Sequence, residues 1–257
     1  MNFLIQGDPE TGLPEYDFGF ELIKAIEFQE EHMDIDRGFA ISDGIVSNLG
    51  WNTEFHYTDW CPVGSVEFIH RRFNSHGIPI PAPVNIPTEL YELSGLRPRI
   101  VGHCTEFSKR RFIKHADIIK HESNGPAHWT PSSDGRWQVT DLVDIISEWR
   151  CFVHHGKLVD VKHYSGDWGT SPSESFIDSA IREWKSAPIA YTLDVGTGYA
   201  KERFRNFIIE AHNFYSCGLY GFSARNVYPQ MLAQWYREHL EKTGVIQIQA
   251  REGSCKS

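Results

Sequence analysis

The sequence lacks the features that typify secreted and membrane-spanning proteins. Its five cysteines are scattered without any close pair, which disfavours a disulfide framework or a cysteine-ligated zinc site and fits reduced thiols. No apolar run approaches the roughly 18 residues of a membrane span. Residues 1–8 contain no basic segment ahead of a long apolar stretch, so we expect no signal peptide. Together these absences predict a cytoplasmic protein without a membrane partner.

The chain also has fewer positively charged than negatively charged residues. The chain has 25 Lys and Arg against 34 Asp and Glu, a formal net charge of −9, which argues against broad binding to nucleic acid. The basic run at residues 109–111 is the exception, and we interpret it as a solvated strand entry. No Ser-His-Asp or Cys-His set stands out, and the loop at residues 123–135 lacks the glycine spacing of a P-loop. The residues therefore indicate neither a protein nucleophile nor a P-loop.

The hydrophobic pattern predicts an α+β protein of two parts. With 257 residues and 40% apolar content, the chain is long enough for a large core. Apolar spacing predicts helices over residues 20–33, 66–73, 174–185 and 229–244, and strands over residues 3–6, 148–153 and 157–164. Closely spaced prolines at residues 78–87 exclude both helix and central strand, so this segment is interpreted as a connector. We predict an α/β domain over residues 1–100 and a strand-rich domain over residues 101–257.

What the sequence does contain is an ordered series of charged residues in strand-like apolar segments. Lys114 and Arg150 come first, and Asp194 and Glu210 follow at the predicted ends of two further strands. Burying two cations and two carboxylates costs too much unless something neutralises them. A polyphosphate with a divalent metal does so, because cations meet phosphate oxygens and carboxylates meet the metal. The series therefore predicts a nucleotide site, against the ordinary alternatives of edge-strand, ion-paired and solvated side chains.

The two carboxylates form the strongest pair of this series. If Asp194 and Glu210 meet, they repel each other unless a cation lies between them. On an extended strand Glu210 and His212 point to the same side, whereas Asn213 points to the other. The pattern therefore predicts metal coordination by Asp194, Glu210 and one neighbour.

The basic residues are predicted to line the same nucleotide site as the two carboxylates. Arg150 would hold a transferring phosphoryl group or a substrate carboxylate, which a planar guanidinium grips with two hydrogen bonds. Lys162, on the returning arm of the hairpin around residues 154–156, would face the same cavity. Lys114 and Lys120 lie beside the loop at residues 123–135, which fits a flexible cover over phosphates.

With these residues assembled, the chain resembles the ATP-grasp superfamily. More narrowly, it resembles the small clade of that superfamily named for its two arginines and a lysine. The matching segments are residues 112–117 with Lys120, and residues 139–150, 188–196, 209–213 and 218–221. They occur in the family's order between about residues 101 and 235. The first hundred residues match less well and resemble only the preceding domain that such proteins carry.

The resemblance implies a fold in which two α+β subdomains grip ATP, preceded by a small α/β amino-terminal domain. It implies that the strand from Thr140 to Val143 is a hinge whose backbone reads adenine, and that Arg150 faces the γ-phosphate and the acceptor. The implied cofactor-binding residues are Lys114, Lys120, Asp141, Leu142, Val143 and Asp144. The implied catalytic residues are Arg150 and Lys162.

The implied metal site departs from the family's pattern at one position. Asp194 and Glu210 would hold Mg²⁺, but the family has Glu-x-Asn where this sequence has His212 and only then Asn213. Imidazole is a poor Mg²⁺ ligand compared with an amide or carboxylate oxygen. Either Asn213 reaches the metal through a local bulge, or His212 alters the choice of metal or takes another role. The expected cofactors are ATP and Mg²⁺, with Mn²⁺ as the alternative metal. His115 also departs, because a proline usually follows the lysine.

The function implied by the resemblance is that of an ATP-dependent carboxylate–amine ligase that works through an acyl phosphate. The expected partners are a small-molecule or peptide carboxylate and an amine, with no nucleic acid, and no oligomeric state is favoured. A phosphotransferase that stops at the phosphorylated acceptor is one alternative. A catalytically silent nucleotide-binding or interaction module is another. A histidine-rich metal protein is a weaker one, because His154 and His155 lie in a predicted turn.

Overall fold

The amino-terminal third is built on a short parallel sheet. The computed structural model describes residues 1–42, 56–102, 111–117 and 135–246. Strand β1 (Asn2–Gln6) lies between β2 (Phe39–Ser42) and β3 (Trp60–Val63), and both neighbours run parallel to it. Leu4 and Ile5 are buried, as expected for a parallel sheet that is covered on both faces.

Two helices connect and cover these strands. Helix α1 (Asp17–Met33) follows β1, and helix α2 (Val66–Ser75) follows β3. The hydroxyl of Ser65 accepts a hydrogen bond of 3.1 Å from the amide of Phe68, so Ser65 caps the amino terminus of α2. Both predicted helices are confirmed, and α1 begins three residues earlier than its apolar spacing indicated.

A second sheet of three antiparallel strands follows the proline-rich connector. Strand β6 (Trp137–Asp141) lies in the centre, between β4 (Arg99–Val101) and β5 (Arg111–His115). Trp137 and Val139 on the central strand are buried. Since β5 is at the edge of this sheet, Lys114 is an edge-strand lysine, as its ordinary interpretation predicted.

The third sheet is antiparallel and has the strand order β10-β9-β7-β8. Its strands are β7 (Asp144–His154), β8 (Lys157–Gly166), β9 (Ala190–Ala200) and β10 (Arg203–Asn213). The predicted hairpin between β7 and β8 is confirmed. Its two turn residues, His155 and Gly156, have φ angles of 50° and 65°, the left-handed pair that matches the twist of the flanking strands.

Two further helices complete the fold. Helix α3 (Glu174–Glu183) lies between β8 and β9, and helix α4 (Tyr228–Lys242) follows β10. Pro229 occupies the first turn of α4, where its missing N–H costs nothing. Within the part of the chain that the structure covers, none of the helices has the length and apolar content needed to cross a membrane.

One hydrophobic core joins the beginning and the end of the chain. Leu4 of β1 and Phe68 of α2 belong to the same buried cluster as Met231 and Tyr236 of α4. A second cluster lies between the third sheet and α3, with Leu193 among its buried members. The division at residue 100 stays a prediction, and the shared core shows that α4 completes the packing of the amino-terminal sheet.

The proline-rich connector ties the second and third sheets together. The carbonyl of Asn85 accepts a hydrogen bond of 2.7 Å from the amide of Ala211 on β10. The Asn85 side chain donates to the carbonyl of Ala116 at 2.9 Å, next to β5. The amide of Ile86 donates to the side chain of Gln138 on β6 at 3.0 Å. These bonds hold the edge strand β5 close to β10, which positions the charged residues described below.

Two predicted strand ends were wrong. Asp194 is interior to β9, and Glu210 is followed by three further residues of β10. Strand β9 continues through Gly196 and Gly198, and a Cβ atom at Gly198 would overlap the backbone oxygen of Asp144 on β7. These glycines therefore continue the strand and allow a close approach of its neighbour.

The strand predicted from Thr140 to Val143 is confirmed only in its first half, and its role as a hinge stays a prediction. Strand β6 ends at Asp141 and β7 begins at Asp144. Leu142 and Val143 lie between them and connect the second sheet to the third.

Substitution of Gly198 by alanine should destabilise the protein by about 1–3 kcal/mol, because the added methyl group overlaps a strand backbone that cannot yield easily. Urea-induced unfolding would measure the loss. Gly102→Ala is the matched control, since nothing lies within 4 Å of a Cβ atom built there. Equal unfolding free energies for both variants would contradict this account of the β7–β9 contact.

Candidate active site

A buried ion pair links the two central strands of the third sheet. Arg150 on β7 and Asp194 on β9 are direct partners in the ladder, so their side chains leave the sheet on the same face. Nε of Arg150 donates to Oδ1 of Asp194 at 2.8 Å, and Nη2 donates to Oδ2 at 2.7 Å. The side chains are only 8% and 2% exposed. Nη1 of Arg150 donates to the carbonyl of Gly218 at 3.1 Å, which holds the guanidinium in place.

Three more charged side chains continue this row. Glu210 on β10 pairs with Asp194 in the ladder, and Lys114 of β5 forms an ion pair with Glu210. His212 lies between the carboxylates, with Nε2 at 2.7 Å from Oε1 of Glu210 and 3.7 Å from Oδ2 of Asp194. The row, which we call the charged cluster, comprises Arg150, Asp194, His212, Glu210 and Lys114.

The contacts within the charged cluster shift the pKa values of its members. Burial alone would raise the pKa values of Asp194 and Glu210, but hydrogen bonds from Arg150, His212 and Lys114 hold both below their usual range. For His212, burial alone would lower the pKa, but the two carboxylates outweigh it and raise the pKa to about 9. At neutral pH the raised pKa of His212 keeps it protonated between the two carboxylates.

The charged cluster separates two cavities. One has a volume of about 490 Å³ and is lined by Phe112, Leu142, Val143 and Ile209, and we call it the hinge cavity. The other has a volume of about 380 Å³ and is lined by Phe18 of α1 and by other residues of the amino-terminal region, and we call it the amino-terminal cavity. The side chains that line both are Lys114, Arg150, Glu210, His212 and Tyr220.

The sequence around the charged cluster matches a known protein family. Residues 108–230, which contain the charged cluster, match the sequence model of an ATP-grasp domain, family 2 of the clade named for two arginines and a lysine. This part of the chain is an ATP-grasp domain of that clade. The match confirms the family resemblance and, with the mixed sheets and helices, the predicted α+β ATP-grasp fold. No curated protein matches the chain in sequence.

Several solved structures resemble the chain at low sequence identity. The D-alanine–D-alanine ligase from Bacillus anthracis, complexed with ATP, is 9% identical, with coverage of 95% of this chain and 96% of that one and a TM-score of 0.43. The ATP-grasp ligase PsnB, complexed with a minimal precursor, is 10% identical, with coverage of 91% and 99% and a TM-score of 0.47. The macrocyclase MdnC from Microcystis aeruginosa, bound with precursor peptide MdnA, is 9% identical, with coverage of 91% and 98% and a TM-score of 0.44.

The ATP-grasp domain brings most of the predicted cofactor residues to the hinge cavity. Asp141, Leu142 and Val143 line it together with Lys114, whereas Asp144 is exposed and is not among its lining residues. Asp141 forms an ion pair with Arg111, its ladder partner on β5. Lys120 lies outside the described residues, as does the predicted cover loop up to residue 134.

Lys162 is near the charged cluster but does not line either cavity. It is the ladder partner of Arg150 on β8, so both side chains leave the sheet on the same face, and the catalytic role predicted for Lys162 stays a prediction. Its ammonium group is 2.9 Å from Oδ2 of Asp160, two residues earlier on the same face.

The structure does not bring Asn213 to the charged cluster. A bulge does occur in β10, but its register shift lies between Ile208 and Glu210, before the carboxylate. From Glu210 onward the pairing is regular, so Asn213 leaves β10 on the side opposite to His212, although it still lines the amino-terminal cavity. Its amide donates to the carbonyl of Ala82 at 3.2 Å and accepts from Nε1 of Trp235 at 3.3 Å.

Two tyrosines at the site were missed. The rings of Tyr164 and Tyr220 stack with centroids 5.0 Å apart, and the Arg150 guanidinium carbon is 5.7 Å and 5.0 Å from them. The hydroxyl of Tyr164 donates to Glu148 at 2.7 Å. Strand alternation could have found Tyr164, because it lies two residues after Lys162 on the same face. Tyr220 comes from a loop, where periodicity carries no signal.

Asp194, Glu210 and His212 fit a divalent metal ion. Each offers one ligand atom, and these three atoms lie within 4.8 Å of one another. The two carboxylate oxygens suit Mg²⁺ or Mn²⁺, and the imidazole nitrogen suits transition metals.

Without metal, the protein should lose stability as the pH rises through about 9. Folded His212 keeps its proton up to that pKa, whereas an unfolded histidine releases it near 6.5. Between these values the folded state binds more protons, so the unfolding free energy falls with pH, and the contribution is complete only below pH 6.5. Because the side chain is 32% exposed, we expect a loss of only about 2 kcal/mol.

Urea unfolding between about pH 6 and pH 10 would measure this loss. His212→Asn should flatten the curve, whereas His32→Asn, at an exposed position on α1, should leave it unchanged. Parallel curves for the wild type and His212→Asn would show that His212 is not the group responsible.

Proposed function

We propose that the protein is an ATP-dependent carboxylate–amine ligase that forms an acyl-phosphate intermediate. The observation that carries this proposal is the charged cluster between two cavities. ATP in the hinge cavity would direct its terminal phosphate at the cluster, and a carboxylate in the amino-terminal cavity would approach the cluster from the other side.

The hinge cavity has the properties of an adenine site. Its walls include the apolar side chains of Phe112 and Ile209. Leu142 and Val143 lie outside the strand ladders on either side, which leaves their peptide groups available to a planar base. An apolar slot with a few fixed polar groups is the common form of a small-molecule site. Asp141 and Asp144 would lie towards adenine and ribose, as the family resemblance implies.

The charged cluster would supply positive charge for the transferred phosphoryl group. Three of the five N–H groups of Arg150 are engaged by Asp194 and Gly218, so two remain for phosphate or acceptor oxygens. Lys114 lines both cavities and would exchange Glu210 for a phosphate oxygen. When bound, a divalent cation supplies charge neutralisation at the phosphates, and Asp194, Glu210 and His212 would hold it.

The proposed reaction needs positioning more than a protein nucleophile. A carboxylate oxygen of the acceptor attacks the γ-phosphorus, and the bond between that phosphorus and the leaving ADP oxygen breaks. The amine then attacks the acyl carbon, phosphate leaves, and the amine nitrogen loses a proton. Lys162 would have to leave Asp160 to reach these groups, and Lys120 would contact the phosphates.

The remaining parts of the proposal concern the partners and the setting of the reaction. The substrates would be a small-molecule or peptide carboxylate and an amine, and the reaction would take place in the cytoplasm. Residues 1–100 would supply much of the acceptor cavity, to which Phe18 and Val66 already contribute.

Substitution of Lys114 by glutamine should lower kcat/KM for ATP about 100-fold, because the variant keeps the shape of the site but loses a phosphate contact. The measurement is release of ADP and phosphate with a panel of carboxylates and amines, each pair assayed together and separately. Lys157→Gln is the control, since Lys157 is exposed at the β7–β8 turn. ATP turnover in the wild type that requires both substrates supports the ligase, and its absence across a broad panel would overturn the proposal.

One observation favours a second candidate, a silent nucleotide-binding module. Asp194 is already neutralised by Arg150, and Glu210 by Lys114, so the cluster is stable without any ligand. A protein that never exchanges these partners would bind neither metal nor phosphate through the cluster. The two candidates therefore differ in whether the ion pairs open.

Metal and nucleotide should stabilise the protein cooperatively. Phosphate that displaces Glu210 from Lys114 leaves a carboxylate without a partner, and metal that binds the carboxylates leaves the cations without one. When both ligands bind, the phosphates pair with the cations and the metal pairs with the carboxylates. We expect the melting temperature to rise more with a non-hydrolysable ATP analogue plus Mg²⁺ or Mn²⁺ than the separate shifts sum to. Asp194→Asn should lose the metal-dependent part and Asp178→Asn, an exposed position on α3, should keep it. A shift with the analogue that neither metal enlarges would favour the silent module.

A further inference from the structure

His212 brings a third donor to the two carboxylates of the charged cluster. Among the residues that the structure describes, Asp194, Glu210 and His212 are the only three histidine, cysteine or carboxylate side chains whose ligand atoms all lie within 4.8 Å of one another. Asp194 and Glu210 face each other across the β9–β10 ladder, and His212 follows two residues later on the same side. The three donors therefore come from paired strands of one sheet, which fixes their separation.

The nitrogen of His212 lies close to oxygen atoms of both carboxylates. Nε2 lies 2.7 Å from Oε1 of Glu210 and 3.7 Å from Oδ2 of Asp194. A cation that replaced this hydrogen bond would meet one nitrogen and two oxygens after a small movement. The nearest amide in sequence, Asn213, also lines the amino-terminal cavity, but its side chain is engaged by the carbonyl of Ala82 and by Nε1 of Trp235.

We propose that His212 is a direct metal ligand and that it makes the site prefer Mn²⁺ to Mg²⁺. The inference rests on the proposed function for the presence of a divalent ion and adds which ion the site selects. Mg²⁺ demands oxygen ligands in near-ideal octahedral geometry and gives up water reluctantly. Mn²⁺ shares the preference of Mg²⁺ for carboxylate oxygen, but unlike Mg²⁺ it belongs to the first-row series whose ions bind mixed nitrogen and oxygen sites.

Pulsed electron paramagnetic resonance of bound Mn²⁺ tests the direct bond. The protein would be prepared with ¹⁵N-labelled histidine and loaded with Mn²⁺ and a non-hydrolysable ATP analogue, so that adenine nitrogen is not mistaken for imidazole. We expect a ¹⁵N coupling in the wild type that disappears in His212→Asn and persists in the control His32→Asn. A wild-type sample with bound Mn²⁺ and no ¹⁵N coupling would overturn the proposal without needing any variant.

Competition between the two metals tests the preference. Mn²⁺ binding would be followed by the loss of its free-ion signal and reversed with Mg²⁺, in the presence of the same analogue. Since changes to supporting groups around a metal alter affinity about 10–100-fold, loss of a direct ligand should reduce the Mn²⁺-over-Mg²⁺ preference at least about tenfold in His212→Asn. An unchanged preference would contradict the role assigned to His212.

These readouts separate the inference from the proposed function. A ¹⁵N coupling without ATP turnover on any substrate panel would support the metal ligand and count against the ligase. Turnover that requires a carboxylate and an amine, in a protein whose bound Mn²⁺ shows no ¹⁵N coupling, would support the ligase and overturn the inference.

Discussion

The structure depends on the buried ion pair between Arg150 and Asp194. Two charges are removed from water at the centre of the third sheet, and only their paired geometry and the carbonyl of Gly218 make this tolerable. Loss of one partner of such a pair typically costs about 3–5 kcal/mol, because the other charge remains buried without compensation. The pair therefore favours the register in which Arg150 on β7 lies opposite Asp194 on β9. Since Glu210 on β10 is in turn the ladder partner of Asp194, the same register places the cluster on one face of the sheet.

Around this pair the charges alternate in sign along a single row. Each carboxylate touches two cations, so none of the five side chains needs a ligand for the fold to be stable. The same row separates two cavities whose walls are otherwise largely different. A site that is neutralised internally and opens on both sides suits the exchange of ion-pair partners, which is the physical basis of the proposed phosphoryl transfer.

Particular residues show how far the sequence could be interpreted. The charged residues in apolar strands were predicted from the cost of burial, and four of the five members of the cluster came from that reasoning; His212 came from strand alternation. The same alternation correctly separated Glu210 and His212 from Asn213. The strand end predicted at Asp194 was wrong, because β9 continues through Gly196 and Gly198, where the missing side chains allow a close approach of the neighbouring strands. The strand predicted from Thr140 to Val143 was too long by two residues, since apolar Leu142 and Val143 continue the pattern of β6 without continuing its ladder.

The sequence by itself determined the elements, the order of the charged residues and the faces of the strands on which they lie, because periodicity and burial are local properties. The ion-pair partners, the division into two cavities and the place of Tyr220 were decided only by the tertiary structure. Those features depend on strand order, on the connector that holds β5 against β10, and on a loop that folds back over Arg150. Contacts between residues far apart in the chain leave no periodic signal, so their distances could be obtained only from the folded chain.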